Sequence, residues 1–334
     1  MSLTRKLRWG IISTAKIATK KVIPAMQKSK YANVVGIASR TLSHAKATAK
    51  DLNIPHYYAS YDELLADPSI EAIYNPLPNH LHVPLSIKAL HAGKHVLCEK
   101  PIAVTSQEAQ DLLDISRNYP DLKIMEAFMY RYHPQWQQVA TLVQNGNIGT
   151  LKMIHTMFSY FNDHEHDIRN QKSTGGGGLL DIGCYAISLA RLLFAKEPLR
   201  VQGLIETHPH FDTDVLTSAM LDFGSGFSTF TCSTLLSPYQ NVQILGDRGR
   251  IEIEVPFNTH PDRSCKIIHQ NQEGSLTEIL FEACDQFTIL ADLFSQSVLE
   301  NTPVPMPLSD AVHNMKVLEA IIQSSKSNQW ENLN

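Results

Sequence analysis

A chain of 334 residues with 43% hydrophobic and 19% charged side chains is long enough for two domains with a core each, and too apolar to be disordered or fibrous. Its 29 basic and 33 acidic residues give a net charge of -4 with no long run of either sign, which removes any electrostatic case for nucleic acid or an acidic membrane. Five cysteines, an odd number with no C-x-x-C pair, read against a disulfide framework or a zinc site and for a reduced, cytoplasmic protein.

The basic residues Arg5, Lys6 and Arg8 precede an apolar stretch that Lys16 and Lys20 interrupt too early for a signal sequence, and no uncharged apolar run approaches the roughly 18 residues that span a bilayer. From residue 7 onward, short apolar runs alternate with helical spacing. Strands are expected at 7–13, 33–39, 56–59, 70–75, 95–98 and 123–127, with helices at 14–28, 43–52, 61–66, 79–91 and 106–117. This alternation predicts a doubly wound parallel sheet over a first domain of residues 1–125. The pattern then changes, and residues 126–334 read as an α+β domain. Helices are expected at 133–144 and 180–194, and strands at 150–161, 200–207, 215–223, 226–234, 241–245, 249–255, 264–270 and 276–280. Two closing helices follow at 286–300 and 308–324. Consecutive strands predict a large, mostly antiparallel open sheet with its helices on one face, and a second copy of the chain is the expected cover for the other.

The first strand-to-helix turn reads Ser13-Thr14-Ala15-Lys16-Ile17, with small residues where a dinucleotide fingerprint has its first two glycines. Such a turn offers free N–H groups at a helix N-terminus to a pyrophosphate. The second strand ends Ala38-Ser39-Arg40 without the carboxylate that would hold a ribose 2′-hydroxyl. A guanidinium beside a hydroxyl suits a 2′-phosphate, so NADP(H) is the favoured cofactor and NAD(H) the alternative.

Lys100 follows Val96-Leu97-Cys98-Glu99 and precedes Pro101, at the carboxyl end of a parallel strand, where open α/β sheets bind ligands. Asp181 and Tyr185 stand four apart on a helix that begins in the glycine run 175–178, so they share a face. An ammonium near a phenol lowers the phenol pKa from about 10 toward neutrality, which makes Lys100 and Tyr185 a proton-transferring pair with Asp181 as assistant. The run Asp163-His164-Glu165-His166-Asp167 lacks the separated ligands of a zinc site, so no metal is expected.

Taken together, Asn75-Pro76-Leu77-Pro78-Asn79-His80-Leu81-His82, Glu99-Lys100-Pro101, Glu126-Ala127-Phe128-Met129-Tyr130-Arg131 and Gly176-Gly177-Gly178-Leu179-Leu180-Asp181-Ile182-Gly183-Cys184-Tyr185 resemble the Gfo/Idh/MocA oxidoreductase family over essentially the whole chain. The resemblance implies a Rossmann first domain and a second domain whose open sheet makes homodimer or higher contacts. It also implies that Leu77, Asn79 and His82 line the cofactor cleft, with Glu99 and Lys100 near the nicotinamide and Arg131 and Arg169 at the same cleft. Tyrosine at 185, where many members carry histidine, resembles the branch of dihydrodiol dehydrogenase, NADP-dependent D-xylose dehydrogenase and glucose-fructose oxidoreductase. A polyol, sugar or dihydrodiol substrate is therefore expected. A dinucleotide-sensing regulatory protein on the same fold is the competing reading, but it has no need of Lys100 and Tyr185 together.

Overall fold

The computed structural model describes residues 5–333, and they fall into two compact units. The first unit contains β1 (Leu7–Ile12), a π-helical turn Ala18–Val22 running into α1 (Ile23–Lys28), β2 (Ala32–Ala38), α2 (Leu42–Asp51), β3 (His56–Tyr58) and α3 (Tyr61–Ala66). It continues through β4 (Ala72–Asn75), α4 (His82–His91), β5 (His95–Cys98), α5 (Ser106–Ser116) and β6 (Ile124–Glu126). The six strands form one parallel sheet in the order β3-β2-β1-β4-β5-β6. Because crossover helices cover a parallel sheet on both sides, its central strands are buried on both faces: β4 is buried at every position and β1 at every position but Arg8. A capping box starts α5, where Thr105 Oγ1 accepts the Glu108 N–H and the Glu108 carboxylate accepts that of Thr105.

The second unit holds α6 (Pro134–Gln144), β7 (Leu151–Phe161), a π-helical turn Leu179–Gly183 that runs into α7 (Cys184–Phe194), β8 (Arg200–Thr207), β9 (Asp214–Asp222), β10 (Phe227–Ser233) and β11 (Leu235–Gly246). β12 (Arg250–Ile253), β13 (Cys265–Gln270), β14 (Leu276–Phe281) and β15 (Glu331–Asn332) complete the unit's strands; between β14 and β15 the chain forms α8 (Gln286–Leu299), which belongs to the first unit, and α9 (Leu308–Ser327), which begins there and ends in the second. The sheet has nine strands in the order β14-β13-β12-β11-β7-β10-β9-β8-β15, antiparallel except for the central β7–β10 pair. Period-2 alternation separates its faces: Ile154, Thr156 and Phe158 of β7 are buried, whereas Met153 and Phe161 are exposed. Gly203 on β8 is required by close packing, since a Cβ there would stand 2.8 Å from the Ile321 carbonyl of α9. The apolar stretch Lys172–Phe194 has the length and composition of a membrane span, but 83% of that window is buried inside the fold, as a core helix is.

Three details depart from the sequence reading. The first unit extends to Met129 and then recovers Gln286–Val312, a segment expected in the second domain. The reason is packing of α8: Trp9 Nε1 donates to Ser295 Oγ at 3.1 Å, its ring lies 5.3 Å from that of Phe294, and Asp292 accepts the Lys30 N–H. β11 begins six residues earlier than expected. Pro238 reads as a strand breaker, yet the ladder to β7 is irregular between Leu235 and Tyr239, and an irregularity is where a residue without N–H is tolerated. The two-residue β15 carries no pattern to read. Of the two domain ranges, residues 1–4 and 334 lie outside the described residues.

Candidate active site

In the first unit the strand order reverses between β1 and β4, so the carboxyl ends of β1, β4 and β5 border the topological switch point, the usual ligand crevice of such sheets. Ser13, just after β1, has φ of 128°, a conformation natural to glycine and costing an L residue about 1–3 kcal/mol. The serine thus keeps the backbone of the glycine it replaces, and its Oγ accepts the Ala15 N–H at 3.1 Å. Thr14, Ala15 and Ile17 are half-buried and Lys16 is exposed, opening the turn that leads into Ala18–Val22. At the end of β2, Ser39 is buried and its Oγ accepts the Thr41 N–H, which leaves the exposed Arg40 as the outward-facing member of that pair. Small residues at the turn, glycine-like backbone at Ser13 and a guanidinium after β2 fit a phosphorylated dinucleotide.

After β4, Leu77 donates its N–H to Asn75 Oδ1 at 3.3 Å, and Asn79 opens a single 3-10 turn, Asn79–Leu81, before α4. After β5, the half-buried Glu99 and Lys100 form a turn closed by a cis Lys100–Pro101 peptide. That turn is held on every side. Glu99 donates its N–H to the Asn75 carbonyl at 3.0 Å and accepts the Tyr74 hydroxyl on Oε1 at 2.6 Å, while Ile102 donates its N–H to buried Glu126 Oε1 at 2.7 Å. His82, expected to line the cleft, is 1% exposed with Nδ1 2.7 Å from the Pro101 carbonyl and Nε2 2.7 Å from the Leu77 carbonyl. Both ring nitrogens face main chain, so the imidazole has no nitrogen to present to a cofactor. Burial pushes its pKa down to about 4 against the pull of the two carbonyls, so the ring is neutral at pH 7.

In the second unit, Asp181 lies in the π-helical turn Leu179–Gly183 and Tyr185 in the first turn of α7. Asp181 Oδ2 accepts the Tyr160 hydroxyl at 2.6 Å and Arg169 Nε at 3.1 Å, and Arg169 Nη1 also reaches Asp167 at 3.4 Å. Arg169, expected at the cofactor, is therefore a partner of Asp181. Burial and the Asp181 charge together push the Tyr160 pKa up, so the phenol remains a donor. Tyr185 is 5% exposed and its ring is enclosed by Phe257, Tyr130 and Phe158 at centroid distances of 5.2, 5.6 and 5.8 Å. Arg131 donates to Ser188 Oγ and to the Ser188 carbonyl, one turn further along α7.

The glycine run serves Asp214 at the start of β9. Asp214 Oδ2 accepts the Leu179 N–H at 2.5 Å, capping the helix that carries Asp181 and Tyr185. Gly177 has φ of 121°, and a Cβ on it would stand 2.0 Å from Asp214 Oδ1. Burial pushes the Asp214 carboxyl up to about 6, with the Asp181 charge adding to the rise and the Leu179 N–H and Thr217 hydroxyl opposing it. Among the described residues no group of three His, Cys, Asp or Glu side chains is placed to hold a metal ion.

Tyr160 and Asp214 escaped the sequence reading. Tyr160 shares the inward parity of Ile154, Thr156 and Phe158 on β7, a signal that period-2 counting contains. Asp214 opens a strand 33 positions beyond Asp181, and no local pattern marks an acid that caps a distant helix.

A model of the oxidoreductase family with an NAD-binding Rossmann fold matches residues 7–126, and one of the GFO/IDH/MocA C-terminal domain matches residues 136–252. The chain is 44% identical over 331 residues to an uncharacterised oxidoreductase of Rhizobium meliloti, covering 97% of this chain and 98% of the relative. It is 34% identical over 325 residues to a D-xylose 1-dehydrogenase (NADP(+)) of Haloferax volcanii, covering 96% and 98%. A crystal structure of a 3-ketoreductase from Actinomadura kijaniata with NADP and TDP-benzene superposes with a TM-score of 0.89 at 29% identity, over 96% of this chain and 98% of that one. The same ketoreductase has also been solved as a tyrosine-to-phenylalanine variant and as lysine variants.

Proposed function

We propose, from the premise that this chain belongs to the GFO/IDH/MocA oxidoreductase family, that it is an NADP-dependent enzyme moving hydride to or from a CH–OH or C=O carbon of a neutral sugar or cyclic diol. A bound nicotinamide supplies or accepts that hydride at C4. In oxidation, Tyr185 takes the hydroxyl proton as the carbon loses hydride, and in reduction it returns the proton to the carbonyl oxygen. Lys100 supplies the positive charge that favours the phenolate. Asp181, fixed by Tyr160 and Arg169, orients a neighbouring substrate hydroxyl.

The observation that carries this reading is the Lys100 turn. A surface lysine needs no anchoring, yet this one stands at the end of β5 beside the switch point, in a turn fixed through Glu99, Pro101 and Ile102. The exposed Arg40, with no carboxylate after β2, supports NADP(H) over NAD(H). The exposed apolar residues Met153, Leu204, Met220 and Phe227 on one face of the nine-stranded sheet support a homodimer through that face, and an odd number of cysteines with no C-x-x-C spacing supports a reducing, cytoplasmic compartment.

The test is a spectrophotometric screen of NADP+ and NAD+ reduction with D-xylose, other aldoses and trans-cyclic diols, with a carbonyl panel for the reverse direction. NADP-linked turnover on at least one neutral polyol or its carbonyl is expected. Cofactor binding without turnover on any member would favour the regulatory reading instead.

A further inference from the structure

We infer that His82 is a positioning residue that sets where the Lys100 side chain stands, acting through the Pro101 carbonyl rather than by touching the cofactor. Naming Lys100 as the amine that matters rests on the function proposed above; the geometry of the strut does not. The imidazole lies between two loops that are separate in sequence, with a carbonyl of each against one ring nitrogen. One is the loop after β4, through the Leu77 carbonyl; the other is the turn after β5, through the Pro101 carbonyl, one residue from Lys100. Both contacts are 2.7 Å and the ring is 1% exposed, so water cannot replace either.

The histidine itself is held in place. Asn75, the last residue of β4, donates Nδ2 to the His82 carbonyl at 3.0 Å and accepts the Leu77 N–H on Oδ1 at 3.3 Å, closing a ring of contacts from β4 to Leu77 to His82. On the other side of the turn, Ile102 is fastened to Glu126 on β6. With Glu99 tied to Tyr74 and Asn75, the residues on both sides of Lys100 are anchored to β4 and β6, the two strands that flank β5. An ordinary core histidine satisfies one polar neighbour and fills space. This one bridges two carbonyls, and a neutral ring has a single N–H, so the tautomer decides which loop receives the hydrogen bond. The Nδ1–H form, which the proposal requires, fastens the Lys100 turn, whereas the Nε2–H form would fasten the Leu77 loop instead.

That asymmetry supplies the test. Asparagine puts its amide nitrogen near the position of Nδ1, glutamine near that of Nε2, and leucine fills similar space with neither. Competitive acetylation of the full chain with acetic anhydride across pH, read by mass spectrometry at each lysine, reports the Lys100 amine whether or not a substrate is known. In His82→Leu and His82→Gln the Lys100 acetylation rate is expected to change by about threefold or more, and in His82→Asn to return toward wild type, with exposed Lys88 as unchanged control. On a substrate found in the screen, His82→Leu is expected to lower kcat about thirtyfold while leaving the KM for NADPH within about threefold, and His82→Asn to recover most of the loss. Should His82→Leu fail to fold, the asparagine and glutamine variants carry the comparison. Equal behaviour of those two, or no change at Lys100 in either, overturns the proposal. A wild-type enzyme inactive on every substrate overturns the functional reading instead, and leaves the acetylation result to decide His82.

Discussion

In the first unit a long-stemmed lysine is directed by fixing the main chain around it, whereas in the second unit a packed tyrosine is directed by fixing the helix beneath it. The Lys100 turn is held after the residue by contacts of buried His82 and Glu126 with the main chain of Pro101 and Ile102, and before it by the Tyr74 hydroxyl on the Glu99 carboxylate. Tyr185 is held by aromatic packing and by the Asp214 carboxylate at the start of its helix. The contrast follows from the side chains. A four-carbon stem with several rotors gains precision only if its root is immobile, while a phenol with two torsions gains it from a packed ring.

Each arrangement can be broken separately. The largest effect is expected from Lys100→Met, with kcat falling about 10³-fold while NADPH fluorescence still reports binding, since removing a proton-transfer partner typically costs 10²–10⁴. Next, Gly177→Ala should destabilise the protein by about 3 kcal/mol in urea unfolding, combining the left-handed backbone with a Cβ that meets Asp214. A matched substitution at exposed Gly93, also left-handed but with open space around it, should cost about 1 kcal/mol and separates the clash from the backbone term.

Asp214 makes the tyrosine's helix sensitive to pH. Its folded value near 6 lies above its ordinary 3.8, so its contribution to stability is full below about pH 4 and is lost as pH rises through about 6. The amount is about 2–3 kcal/mol. Asp214→Asn should therefore flatten the difference in unfolding free energy between pH 4 and pH 8, relative to wild type, by that amount. The smallest effect belongs to the cofactor's far end: Arg40→Ala should weaken NADPH by about tenfold and NADH hardly at all, the size of one charge-assisted contact at an exposed site. Equal weakening of both cofactors would remove the 2′-phosphate assignment.

The fold was legible where one period dominates. Alternation of apolar strands with helical spacing foretold the parallel sheet, and Glu99-Lys100-Pro101 fell at the end of β5 as its apolar run implied. The return of α8 to the first unit was not legible, because an apolar helix face does not say which sheet it will cover, and Trp9 and Phe294 meet across 285 residues of chain. At the site, Lys100, Asp181 and Tyr185 stood out by spacing. His82, Tyr160 and Asp214 act through groups far along the chain, a main-chain carbonyl, a carboxylate and a helix N–H, and such partnerships appear only after folding.

Tyr185 carries the proton in the proposed reaction. Wild type and Tyr185→Phe, each loaded with NADPH as judged by fluorescence, should be mixed with a carbonyl substrate identified in the screen and followed through a single turnover. Loss of the hydroxyl should slow NADPH oxidation about 10³-fold with cofactor affinity unchanged. A variant that turns over its bound NADPH at the wild-type rate would contradict the proposed proton transfer.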